Sequence, residues 1–442
     1  MTRRTVPDEN LPGNPHGAQL AASMNSFPNP RASFADEILR EGYAKFFERQ
    51  TVLLTGSTGS LGGCLLYKLT LQLPTRKIYA LIRSTPEAAF AKWRKAMPIQ
   101  SQAIVSSKKV EYVIGDIKAE NFNVAPDVLE TLKSEVTLVI HTAAKISLDA
   151  SLHDAIENNC LPSLELARMA SQFRRLKLLV QISTAYVNSF LPDGPVLERA
   201  YTLADLDPEE ELASAFAIQP TRSPSPAASD RFSSTYAHAK YLMERLLLSR
   251  YPLLPILLLR PTIFGQAIRH PFPLYGLENS TPMNKFFQYL LSDRGGVQIW
   301  HATEGYKTGA NILDEIPVDL VANACLLHAA ARTTGIVQIG SELYHPLTFD
   351  DFLEIAVSNA PPVIRRELPQ VVFTEDRTAQ QCFLAEMVRV ASRNWLFHCG
   401  RSYWLKQVGG ALSLCVDKGE AEELNRRRIR DIYKRAVDMA KI

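Results

Sequence analysis

The chain has 442 residues, 46% of them apolar and 21% charged, which is ample for a sizeable core and excludes wholesale disorder. Lys plus Arg total 49 against 46 Asp plus Glu, and a net charge of +3 argues against a dedicated nucleic-acid binder, which concentrates basic charge on one face. Six cysteines (Cys64, Cys160, Cys325, Cys382, Cys399 and Cys415) are scattered without a C-x-x-C pair, so neither a metal site nor a disulfide framework is expected, and most read as buried apolar thiols in a reducing, cytoplasmic compartment.

Met1 to about Phe34 is polar and Pro-rich, without the apolar run of a secretory signal, and residues 1–35 read as a disordered tail. Residues Asp36–Gln50 read as a short helix. No run of ~18 apolar residues follows, so no transmembrane segment is expected, while contact with a membrane surface stays open. An α/β rhythm begins at Thr51–Leu54. Further apolar, β-prone runs are Lys77–Ile82, Val110–Ile114, Val136–Ile140, Leu178–Ile182 and Pro255–Leu259. Helical periods lie over Leu61–Leu71 and Leu152–Phe173. Strands spaced by helices imply right-handed crossovers and a doubly wound parallel sheet of the Rossmann type. Residues 36–265 read as its nucleotide-binding domain. Gln219–Ser234, rich in Pro and Ser, reads as an exposed loop. Residues 266–442 read as a smaller, mostly helical substrate lobe, part of which returns to the sheet. Its last helix, Gly419–Ala440, carries Arg426, Arg427, Arg428 and Arg430 on what reads as a solvated face.

The run Thr55-Gly56-Ser57-Thr58-Gly59-Ser60-Leu61-Gly62 joins the first strand to the first helix. Its G-x-x-G-x-x-G spacing suits a tight turn, a close backbone approach to a pyrophosphate, and a helix packed hard on the sheet. The helix N-terminus then offers free N–H groups to the phosphates. Thr55, Gly56, Thr58, Gly59, Ser60, Leu61 and Gly62 are the candidate cofactor contacts. About 20 residues on, where NAD-selective proteins place an acid on the ribose 2′-hydroxyl, stands Arg83. A guanidinium there suits a 2′-phosphate, so NADPH is the expected cofactor. Asp116 after the third strand is a candidate for the adenine amino group; its bland reading is a turn cap.

Of 15 tyrosines only Tyr236 has a lysine four residues on, Lys240, which a helix puts on the same face. A phenol of pKa ~10 needs about three units, or roughly 4 kcal/mol, to titrate near neutrality. A cation at ~4 Å supplies about that at an effective dielectric of about 20. The third member of such a site is a hydroxyl at the end of the fifth strand. Thr184 is preferred there, with Ser183 as the fallback.

With these residues placed, the chain resembles the extended short-chain dehydrogenase/reductases, and within them the fatty acyl-CoA reductases and thioester reductases. The resemblance is carried by Lys77–Arg83 (KIYALIR), Gly115–Ile117 (GDI), Val139–Lys145 (VIHTAAK), Asn159, Ser183–Asn188 (STAYVN), the Tyr236/Lys240 pair, Arg260–Thr262 (RPT) and Ile316–Ala324 (IPVDLVANA). It implies cofactor contacts at Ile117, Thr142, Ala143, Ala144, Lys145, Asn159, Tyr236 and Lys240. It departs after about Pro361, where the family's usual C-terminal reductase domain is hard to find.

The resemblance implies reduction of an acyl thioester, on CoA or a carrier protein, to an aldehyde or primary alcohol. Thr184 and Tyr236 would serve the carbonyl oxygen, while Lys240 would hold the nicotinamide ribose and keep the phenol acidic. The stretch from Pro192 to Ser234 is a candidate lid. Two other readings stay open: a ketone or alcohol dehydrogenase or epimerase on the same scaffold, and a non-catalytic NADP-binding protein.

Overall fold

A computed structural model describes residues 32–147, 150–203, 207–217, 231–276, 281–292 and 295–440. Most of the expected tail, and Gln219–Asp230 of the expected loop, lie outside the described residues. The centre is a seven-stranded parallel sheet. Its strands are β1 (Thr51–Thr55), β2 (Lys77–Ile82), β3 (Val110–Ile114), β4 (Leu138–His141), β5 (Leu178–Ile182), β6 (Ile256–Pro261) and β7 (Gly335–Ile339). Their order is β3-β2-β1-β4-β5-β6-β7, so the winding reverses between β1 and β4. In such sheets ligands bind at that reversal, outside the carboxyl ends of the strands.

Sequence pattern explains the layers. β1, β5 and β6 are buried along their whole length, as mainly apolar strands covered on both faces should be, and their polar members Thr51, Thr55, Gln181 and Arg260 are buried with them. Val52 and Leu54 enter one core and Leu53 the other. The first core is covered by helices α1 (Ser60–Tyr67) and α7 (Val318–Ala330). The second is covered by α2 (Leu152–Asn159), α3 (Leu161–Ala170) and α5 (Thr235–Arg250). Between them in sequence, α4 (Pro208–Ala217) packs beside α5.

Several expected elements shift. The single helix over Leu152–Phe173 is two, broken at Cys160, because Pro162 cannot donate back and its ring crowds the preceding turn. The helix after the Gly-rich turn widens into a π-helical turn over Lys68–Gln72. β4 starts two residues late, since Val136 closes the helix Pro126–Glu135.

The C-terminal region builds a third core around Phe286, Trp300, Phe349 and Ile429. Its helices are α6 (Pro282–Ser292), α8 (Phe349–Asn359) and α9 (Lys418–Ala440), with a parallel pair of short strands, Val297–His301 and Gln370–Thr374. One expectation for α9 is corrected. Arg428 is buried rather than solvated, and its guanidinium lies 2.7 Å from Glu315 Oε2. The helix turns that residue inward between the Phe287 and Phe352 rings.

Candidate active site

After Thr55 the chain turns through Gly56 at φ +72° into α1. A Cβ on Gly56 would stand 2.5 Å from Thr142 Oγ1, and one on Gly62 would collide with the Gly56 carbonyl oxygen. The protein's own backbone therefore demands both glycines. Gly59 is different: a Cβ there meets only the Gly56 carbonyl oxygen, at 3.4 Å. Gly59 caps α1 without a side-chain hydrogen bond, and the first turn holds no acid. The first-turn N–H groups, which have no intrahelical acceptor, face a cradle suited to an anion. Ser60 and Leu61 are buried beneath it and Thr58 is half-buried. Trp93 and Tyr275 brace the turn, Nε1 donating to Ser57 O at 2.8 Å and the phenol donating to Ser60 O at 3.0 Å. Neither was identified from the sequence, because both arrive from distant elements.

Across the reversal, Thr142 Oγ1 donates to Thr55 O at 2.8 Å, and Thr55 Oγ1 pairs with His141 Nδ1 at 2.7 Å. Burial, helped by the charge of Lys240, pulls the His141 imidazole down to about 3, so it is neutral. These hydroxyls tie β1 to the loop after β4. Asn159, also buried, serves the same loop. Its Oδ1 accepts from Lys145 N at 2.9 Å and its Nδ2 donates to Lys145 O at 3.1 Å and Ala155 O at 3.0 Å. Its amide thus holds the backbone in shape. Ala143 is half-buried, and Ala144 and Lys145 are exposed at the rim.

Arg83 is exposed at the end of β2 and makes no hydrogen bond or ion pair among the described residues. Asp116 Oδ1 accepts from Lys118 N at 3.1 Å, a turn cap. Ile117 packs against the second core.

The hydroxyl and the phenol–ammonium pair meet at the end of β5. Thr184 is buried, and its Oγ1 accepts from Tyr186 N at 3.3 Å. Ser183 Oγ is buried and has no partner among the described residues, and Ser183 remains the fallback. Ser234 Oγ caps α5 by accepting from Ala237 N at 3.1 Å, which starts the helix at Thr235, one residue before Tyr236. The helix packs against the Ala185–Asn188 turn. Ser233 N donates to Ser189 Oγ at 2.9 Å, and Lys240 Nζ donates to Ile182 O at 3.0 Å. The ammonium lies 5.9 Å from the centre of the Tyr236 ring.

The electrostatics correct the expectation of an acidified phenol. Burial pushes the Tyr236 hydroxyl above the ordinary phenol range, and it pulls Lys240 down to about 8. The lysine is spent on Ile182 O and is too far from the ring to outweigh desolvation. At neutral pH Tyr236 holds its proton and is a donor. The thiols of Cys64, Cys160 and Cys325 are pushed up to about 12 by burial, so none is poised as a nucleophile.

A cavity of about 580 Å³ opens between the segment just before α5 and the C-terminal region, and Thr184, Tyr236 and Lys240 are not among its lining residues. Ser189, Phe232 and Ser233 line it from the sheet side, and Val390, Arg393 and Trp395 from the C-terminal region. Its size is that of a small-molecule site.

Comparison with known proteins bears on the family and the fold. The family model described as "Male sterility protein", an NAD-binding domain, matches residues 54–325. The chain is 24% identical over 385 residues to fatty acyl-CoA reductase 1 of Xenopus laevis, covering 84% of this chain and 70% of that one. It is 25% identical over 364 residues to the chloroplastic fatty acyl-CoA reductase 2 of Arabidopsis thaliana, covering 71% of this chain but 58% of that one, less than two thirds of its length. Among solved structures, the terminal R domain of the myxalamid PKS-NRPS biosynthetic pathway superposes with a TM-score of 0.60 at 18% identity, covering 89% of this chain and 91% of that one. That last likeness shows the fold alone.

Proposed function

The chain belongs to the Male sterility protein family, and on that premise we propose that it is an NADPH-dependent reductase of acyl thioesters, taking a fatty acyl-CoA or a carrier-protein-bound chain to the aldehyde or the primary alcohol. The observation that carries this reading is the gathering of Thr184, Tyr236 and Lys240 at the end of β5, beside a turn whose Gly59 face is clear for phosphates. The cradle of Gly56, Gly59 and Gly62 would hold the pyrophosphate, and Arg83 the 2′-phosphate. When bound, the nicotinamide supplies hydride to a carbonyl carbon.

The chain's own residues do the rest. Thr184 spends an acceptor position on Tyr186 N, which leaves its O–H free to donate. Tyr236, protonated at neutral pH, is a second donor. Two donors aimed at one carbonyl oxygen stabilise the charge that develops there, usually the largest catalytic term. Tyr236 then gives up its proton to that oxygen, which is worth about 10²–10⁴-fold as general acid catalysis. Collapse of the resulting hemithioacetal expels the thiol and leaves an aldehyde, with no acyl-enzyme and no cysteine required. The cavity lined by Phe232 and Trp395 suits the thioester arm, and its polar rim of Ser189 and Ser233 suits amides along that arm. Among the described residues no helix is long and apolar enough to cross a membrane.

A panel of acyl thioesters with NADPH tests the proposal. The expected result is NADPH oxidation accompanied by free thiol. A ratio near one marks the aldehyde and a ratio near two the alcohol. Cofactor oxidation on ketones, with no thiol released from any thioester, would overturn it.

A further inference from the structure

The turn that carries Thr184 is not held by the sheet alone. Its Tyr186 is half-buried and packs against two separate clusters. One consists of Ala185, Val196, Trp395 and Phe397, and so reaches into the C-terminal region. The other consists of Val187, Phe232, Ala237 and Tyr241, and so reaches the helix of Tyr236. The Tyr186 ring stands edge-on to Trp395 at 6.0 Å and to Phe397 at 5.5 Å. Both are preferred aromatic geometries, and they fix the ring in two directions. The backbone N–H of this same residue donates to Thr184 Oγ1.

The C-terminal segment also grips the chain just beyond the turn. Leu191 O accepts from Arg393 Nη2 at 2.8 Å and from Trp395 Nε1 at 3.1 Å. Arg393 Nε reaches Asp193, and Gly194–Val196 pairs in parallel with Trp395–Phe397. The stretch from Thr184 to Val196 is therefore clamped at its far end by a segment some two hundred residues away in sequence (|i−j| of 200 for the Arg393–Asp193 bond).

We propose that Tyr186 is a positioning residue, locked between Trp395 and Phe397, that sets the direction of the Thr184 hydroxyl relative to Tyr236. The C-terminal region then completes the oxyanion donors as well as lining the cavity. Tyr186 touches neither carbonyl nor cofactor in this role; it acts through its backbone N–H and its ring. The role rests on Thr184 being the oxyanion donor assigned above.

The test compares Tyr186→Leu with Tyr186→Phe in the full chain. Phe keeps the ring and the backbone donor; Leu loses the edge-on contacts. Expected for Tyr186→Leu is a kcat lower by about 10–100-fold, as for a misplaced catalytic group, with thioester KM and NADPH Kd within about threefold of wild type. Tyr186→Phe should restore kcat to within about threefold. Hydrogen exchange, which needs no turnover, should quicken at the amides from Tyr186 to Val196 in Tyr186→Leu only. Should Tyr186→Leu fail to fold, Phe397→Leu removes one of the two edge contacts with Tyr186 in place and should show the same signature. Unchanged kcat and exchange in Tyr186→Leu, or an equal kcat loss in Tyr186→Phe, would overturn the proposal. If the wild type reduces no thioester, the functional reading fails, while the exchange comparison still decides whether Tyr186 locks the turn.

Discussion

Lys240 Nζ donates to the carbonyl of Ile182 at 3.0 Å, so the helix bearing Tyr236 is moored by its buried ammonium to the last residue of β5. Thr184 follows two residues on. One bond thus relates the strand-end hydroxyl to the helical phenol, and its donor has a titration point inside the accessible pH range.

Lys240 is held near 8, against 10.5 for a free lysine, because burial disfavours its charge. In the unfolded chain the group binds its proton up to the higher value. Between those values the unfolded state holds more protons, so the lysine's contribution to stability rises with pH across that window. Activity should move the opposite way if the ammonium is the working form. The kcat/KM profile should fall above about 8, and Lys240→Met should remove that limb along with most of the activity. A wild-type profile flat from pH 7 to pH 9.5 would refute the role.

Tyr236→Phe deletes only the donor proton. It should lower kcat by about 10²–10⁴-fold, the usual worth of a general acid. NADPH affinity, read by fluorescence titration, should stay within about threefold, since the hydroxyl binds the reacting oxygen rather than the phosphates.

The glycines of the turn separate folding from binding. Gly62→Ala forces a methyl into the Gly56 carbonyl oxygen and should cost about 1–3 kcal/mol of stability, seen as a lower thermal midpoint. Gly59→Ala meets only ordinary contact at 3.4 Å and should fold normally. It should nevertheless weaken NADPH binding by about tenfold, because its methyl stands where the pyrophosphate approaches. Equal cofactor affinity in Gly59→Ala and wild type would remove the turn from the binding site.

Arg83→Glu should raise the NADPH KM by about 10–100-fold, the worth of a charged hydrogen bond at 1.5–3 kcal/mol. The NADH KM should change little or fall. Because Arg83 is exposed, the discrimination should shrink as salt is added.

Much of this site was legible because its signals are local. Gly56 needs a positive φ whatever surrounds it, and the four-residue step from Tyr236 to Lys240 shares a helix face in any α-helix. What escaped depends on distant partners. The spacing puts ammonium and phenol on one side but fixes neither their separation nor their burial, and those two set the direction of the Tyr236 shift. Asn159, a candidate cofactor contact, spends its amide on the Lys145 backbone, a pairing that only the folded loop after β4 reveals. Trp93, Tyr275 and His141 reach the turn from elements whose pairing no short window reveals. Arg428 looked solvated because its neighbours Arg427 and Arg430 are, and only the packing of α9 turns it onto Glu315. The sheet was foreseen through β6; β7 was foreseen only as a return of the C-terminal region.

That last strand has a consequence for biogenesis. β6 ends at Pro261 and its outer neighbour β7 begins at Gly335, with α6 and α7 translated in between. A ribosome that has released Pro261 has therefore made a strand, apolar but for Arg260, with one unpaired edge, and open edges of this kind recruit other chains. The nascent protein stays adhesive until Ile339 emerges. Truncations placed before that residue should precipitate, while those placed after α7 and β7 should not share this particular defect.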